Sequence, residues 1–220
     1  MSAARVLIVL VTVCVPLHSV LADGGGPPRS VRTYQVDVNA SRVFVKVGSA
    51  NRLGHPHGVE ARLKGGTLTF GGDGEMVFDM ASFTADTPES RKRAGLAQGV
   101  SASDAKKVTE TMRGAEVLDV AHFPTAVFHM TAIKPLDKQE AGAPGIYQLE
   151  GAFTLHGKEQ KLQLKAKLES LDHQQMRLSG SFNIKQSDYG IKPYSTLGGA
   201  VGVSDELEIT GDLVLTPAAK

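Results

Sequence analysis

Lys161-Leu162-Gln163-Leu164-Lys165-Ala166-Lys167-Leu168-Glu169 decides how this chain folds, because apolar and polar side chains take strict turns along it. Two later stretches repeat the pattern. Met176, Leu178, Gly180, Phe182 and Ile184 alternate with Arg177, Ser179, Ser181, Asn183 and Lys185. Leu207, Ile209, Gly211, Leu213 and Leu215 alternate with Glu208, Thr210 and Asp212. A period of two marks strands with one dry face and one wet face. Strands joined by short links build an antiparallel meander. Such a sheet must curl round its apolar face or be covered. No series of helices is available to cover it, so a closed antiparallel β-barrel of about eight strands is the economical all-β answer.

Working outward, Thr33–Asn39 and Arg42–Val47 alternate as two short strands. Val59–Phe70 and Glu75–Phe83 are strands joined by the turn Gly71-Gly72-Asp73-Gly74. Strands resume at Thr125–Lys134, Tyr147–Leu155, Gln160–Glu169, Gln175–Ser187 and Val203–Leu215, with Lys158-Glu159 as a hairpin turn. Between Ala85 and Leu118 the alternation stops. Ala105, Val108, Met112 and Ala115 recur every three or four residues, which predicts one helical insertion opened by Ser101 or Ser103 and closed near Gly114. Because this insertion joins neighbouring strands, it could lie over one barrel end.

Residues 1–22 have the order of a secretory signal: Arg5, the apolar run Val6–Val15, then Val20-Leu21-Ala22 as a cleavage site. Residues 23–32 form a flexible leader and 33–216 the barrel domain. The only cysteine, Cys14, lies inside the signal. Export without disulfides suits a bacterial periplasm, so a periplasmic or secreted location is expected. Removing Arg5 leaves 23 basic against 23 acidic residues. That balance argues against a nucleic-acid partner, and no later apolar run reaches membrane-spanning length. A homodimer stays open.

Three segments resemble the YceI-like family of bacterial periplasmic lipid-binding proteins: Asp119-Val120-Ala121-His122-Phe123-Pro124-Thr125-Ala126-Val127-Phe128, Leu149 to Gly157, and Phe182 to Ile191 followed by Val203 to Leu207. The resemblance runs from about Tyr34 to Leu215. It implies an extended lipocalin-like barrel holding a long isoprenoid or other amphiphilic chain. The chain departs from the family at Ala40-Ser41, where His-Ser is usual. It departs again at Thr87 and Arg91-Lys92, and in the length of Lys92 to Arg113.

Lipid binding needs an apolar lumen with a few polar groups at its mouth. The expected lining is Phe44, Leu68, Phe70, Phe78, Met80, Phe128, Met130, Leu164, Phe182 and Ile184, with His55 and His57 at the head group. A solid core is the competing reading for these residues. His55-Pro56-His57 could also share a metal with Glu60, His122 or His129, so a His-loop metalloprotein, possibly hydrolytic, is the alternative. Asp86 reads as a solvated carboxylate. Arg91-Lys92-Arg93 reads as solvated surface or a pyrophosphate contact. No Gly-x-Ser-x-Gly elbow or phosphate-binding glycine loop asks for catalysis, and no cofactor is expected. The exported function expected is storage or transport of a polyisoprenoid, quinone or fatty-acid amide.

The signal reading has a direct check. N-terminal sequencing of protein from the native host should begin at or near Asp23; an intact Met1 in the cytoplasm would exclude it.

Overall fold

The computed structural model describes residues 32–51, 53–136 and 144–218. The signal reading, Cys14 and all but the last leader residue lie outside the described residues. The strands are β1 (Thr33–Val36), β2 (Arg42–Ser49), β3 (His57–Thr69) and β4 (Gly74–Ala85). Helices α1 (Pro88–Arg93) and α2 (Ala102–Arg113) follow. The meander continues through β5 (Thr125–Pro135), β6 (Gly145–Leu155), β7 (Lys158–Ser170) and β8 (Met176–Lys185). A two-residue β9 (Ser195–Thr196) precedes the long β10 (Val201–Pro217).

Neighbouring strands from β2 to β8 pair antiparallel in chain order, and β10 closes the wall. β10 pairs with β8 from Glu206↔Lys185 to Leu215↔Met176, and with β2 from Val203↔Ser49 to Asp212↔Arg42. β1 and β2 both pair with β3 and β10, so together they fill one wall position. The result is the expected closed eight-stranded antiparallel barrel.

The first strand ends earlier than its alternation suggests, because Asp37 turns the chain. Its Oδ1 accepts the backbone N–H groups of Asn39 (2.9 Å) and Ala40 (3.2 Å). Across the gap, the wholly buried Ser41 accepts the Val214 N–H at 3.0 Å, replacing a ladder bond with a side chain.

The insertion holds two helices where one was expected. Thr87 caps α1 through the Ser90 N–H (3.0 Å) with Pro88 in its first turn, and Gly95 at φ +67° follows its end. Ser101 then opens α2 by accepting the Asp104 N–H at 3.1 Å. The β6–β7 turn is His156-Gly157, both left-handed at φ 51° and 72°. Lys158 and Glu159 already belong to β7, which corrects the expected turn.

α1 lies directly on the outer face of β3. A Cβ at Gly58 would stand 2.5 Å from the Ser90 carbonyl oxygen, and Ser90 Oγ donates to the Gly58 carbonyl at 2.9 Å. Gly58→Ala should therefore push α1 off its seat and lower stability by about 1–3 kcal/mol. Chemical denaturation checks this; an unchanged midpoint would contradict the close approach.

Candidate functional site

The inner faces of the strands enclose a cavity of about 390 Å³. Its wall is almost wholly apolar, with Val43, Val45, Phe78, Met80, Phe128, Phe153, Leu164, Phe182, Ile184 and Ile209 among the lining residues. Small residues leave the space: Ala126, Ala166, Gly180 and Gly211 all face it. The volume falls within the range of ligand sites, roughly 300–1,000 Å³.

The two barrel ends differ. At the end formed by β1, the β3–β4 turn and the last residues of β10, large side chains fill the lumen. Tyr34, Leu68, Met130 and Leu215 are buried there. Phe70 meets Tyr34 edge-on at 5.6 Å and Tyr147 at 6.3 Å. None of these six lines the cavity. At the other end the lining includes the exposed His55, Lys107 and Thr111, so the cavity opens there. α2 lies beside that mouth. Thr109 Oγ1 accepts the Ala85 N–H at 2.9 Å, and Arg113 Nε donates to the Phe83 carbonyl at 2.7 Å. Val108, Met112, Val117 and Leu118 of this segment join the cavity wall.

At the mouth, His57 is held rigidly. Its Nδ1 lies 2.6 Å from Asp86 Oδ2, and Arg91 Nη1 donates to Asp86 Oδ1 at 2.7 Å. The Gly58 N–H donates to the same oxygen at 3.3 Å. Burial pushes the Asp86 carboxyl up, but the hydrogen bonds from His57 and Arg91, the His57 charge and the Gly58 N–H outweigh it. The net effect holds the acid below its ordinary value of 3.8. An ionised Asp86 accepts, so Nδ1 carries the shared proton and Nε2 is the ring nitrogen left for the mouth. That atom accepts from a head-group hydroxyl or N–H when the ring is neutral and donates to a head-group oxygen when it is charged. His55 packs beside it, ring centroids 4.6 Å apart.

Of the twelve residues expected at the site, Phe78, Met80, Phe128, Leu164, Phe182, Ile184, His55 and His57 line the cavity. Leu68, Phe70 and Met130 do not; they belong to the solid end. Phe44 is corrected more fundamentally. It faces outward, because Val43, Val45 and Val47 take the inner phase of β2, and the Arg93 guanidinium covers its ring at 5.1 Å. Asp86 and Arg91 are both buried, against the solvated readings given to them. Arg91 is committed to Asp86 and to the Ala97 carbonyl (2.6 Å), which removes it as a pyrophosphate contact.

The metal alternative loses its third ligand. Glu60 accepts from Thr87 at 3.1 Å on the outer face, His122 meets Asp119 and His129 meets Glu75. Among the described residues, no three His, Cys, Asp or Glu side chains are arranged to hold a metal ion.

Residues 34–215 match the YceI-like domain. The crystal structure of BcnA from Burkholderia cenocepacia is 21% identical, the match covering 82% of this chain and 99% of that one at a TM-score of 0.55. A polyisoprenoid-binding domain from Saccharophagus degradans, implicated in plant cell wall breakdown, is 13% identical, with coverage of 84% and 98% and a TM-score of 0.58. At these identities the structural likeness speaks to fold. No curated protein matches the sequence.

Asp86 makes a pH prediction. A carboxyl whose folded pKa is depressed contributes stability that is complete above its unfolded pKa and lost as pH falls through the folded value. Asp86→Asn should cost about 3 kcal/mol at neutral pH, by leaving Arg91 buried without its partner. The penalty should shrink below pH 4. Denaturation at pH 7 and pH 3 checks both; an equal penalty at the two would contradict the ionised assignment.

Proposed function

The chain belongs to the YceI-like family, and from that premise we propose that it is an exported binding protein for a long lipophilic chain. The candidate ligands are a polyisoprenoid, a quinone or a fatty-acid amide, held for storage or transport. The carrying observation is a cavity of about 390 Å³ with an apolar wall and its polar groups at one end. A dry void of that size would cost on the order of 9 kcal/mol at about 24 cal/mol per Å³. That cost is comparable to the whole stability of a typical domain, about 5–15 kcal/mol. An apolar chain recovers it by filling the space, contributing roughly 0.8 kcal/mol per buried methylene.

The ligand enters chain first. Phe78, Met80, Phe128, Leu164, Phe182 and Ile184 contact the apolar chain, and His57 and His55 contact the head group. Binding without turnover is the reading the site supports, since the one acid buried among the described residues, Asp86, is committed to Arg91 and to positioning His57.

Gly211 supplies the test. It faces the cavity, and a Cβ built on it meets nothing within 4 Å. Gly211→Leu should project its side chain into the lumen, its Cβ meeting open space. Organic extraction and native mass spectrometry of protein from a bacterial periplasm should find a co-purified lipid on the wild type. They should find at least a tenfold loss on Gly211→Leu, at equal or higher thermal stability. Wild-type protein free of lipid, or a filled variant retaining it fully, would overturn the proposal.

A further inference from the structure

Two loops frame the mouth, and each carries an exposed leucine. Leu53 is 69% exposed and Leu197 74%, the two most exposed large apolar side chains among the described residues. Their loops form one unit. Asn51 Nδ2 donates to the Gly199 carbonyl at 2.7 Å, and the Ala50 N–H to the Gly202 carbonyl at 3.0 Å. Both loops continue directly into the cavity wall, through Gly54 and His55 on one side and Val201 and Gly202 on the other.

Leu197 is unusual in its backbone as well. It sits at φ 50°, followed by Gly198 at 64° and Gly199 at 92°. A left-handed conformation disfavours a leucine, and here the strained residue buries nothing. An isolated exposed leucine needs no explanation. A pair presented by stitched loops at the rim of an apolar cavity does.

We infer that residues 50–51, 53–56 and 195–200 form a docking tip for a phospholipid bilayer, Leu53 and Leu197 entering its apolar edge. The inference rests on the lipid-carrier reading for its choice of partner. An apolar chain leaving the cavity must otherwise cross water, and a mouth seated on the bilayer removes that step. Insertion, not charge, drives the attachment. On α2 at the same mouth, Lys106 pairs with Glu110 at 3.8 Å and Lys107 with Asp104 at 3.7 Å, leaving that face balanced. Two leucines make a weak, reversible anchor, which suits a carrier that must leave again.

The far end of the barrel provides an internal control, because Leu136 (46%) and Leu171 (40%) are partly exposed there on the β5–β6 and β7–β8 connections. The test is flotation of the mature protein with phosphatidylcholine vesicles. Wild type should float, with little dependence on salt. Leu53→Ser/Leu197→Ser should lower vesicle partitioning by about tenfold, while Leu136→Ser/Leu171→Ser should float as wild type does. Wild type that fails to float, or a tip variant that floats equally well, overturns the inference. So does a far-end variant that loses as much. Tip-dependent self-association in ultracentrifugation without vesicle attachment would assign the leucines to a second copy of the chain, and also overturns it. Organic extraction of the same preparations reads lipid holding separately: protein that floats through its tip but carries no lipid sustains the docking and sinks the carrier reading.

Discussion

Everything in this molecule depends on β10 being paired along both of its edges. Its Glu206–Leu215 backbone pairs with β8, while its other edge is shared by β1 and β2. An unclosed sheet of this length would expose a long hydrogen-bonding edge and leave one apolar face wet. Closure turns that face into a lumen. An eight-stranded barrel has an interior just wide enough for side chains to fill, so side-chain size then decides whether the lumen is solid or hollow. Tyr34, Leu68, Phe70 and Met130 fill one end. Ala126, Ala166, Gly180 and Gly211 leave the other open.

Much of this was legible in the alternation. Period two marked every long strand of the wall, and the loss of alternation after Phe83 marked the helical excursion. Two kinds of information were not in that pattern. The first concerns phase. Phe44 shares its register with Arg42 and Lys46, so the pattern itself put it outside; aromatic size alone made it look like lining. The second concerns neighbours across strands. Whether Phe78 and Phe182 meet other side chains or empty space depends on glycines and alanines on strands distant in sequence, and no linear spacing reports that. α1 was missed because six residues give little periodicity. Thr87-Pro88-Glu89, a capping residue with proline next, was the readable sign.

Asp86 illustrates why buried charge resists sequence reading. It stands in a segment rich in charge, at φ 56°, between a strand end and a helix cap. Its side chain carries no mark of burial. Only the fold brings His57 from the start of β3 and Arg91 from α1 against it, and those two donors make its burial tolerable. The same contacts couple three elements, so α1 on the outer wall supports the orientation of an imidazole inside the mouth.

The unequal ends set the direction of any exchange. With aromatic and methionine side chains packed across the far end, an apolar chain in the cavity has one way in and one way out. That way passes His57, the α2 segment and the two stitched loops. α2 is anchored by Thr109 to the end of β4 and by Arg113 to the Phe83 carbonyl. Moving it breaks these two bonds and uncovers Val108 and Met112, whereas opening the far end would expose a packed aromatic cluster. Both of these bonds lie at the open end of the cavity.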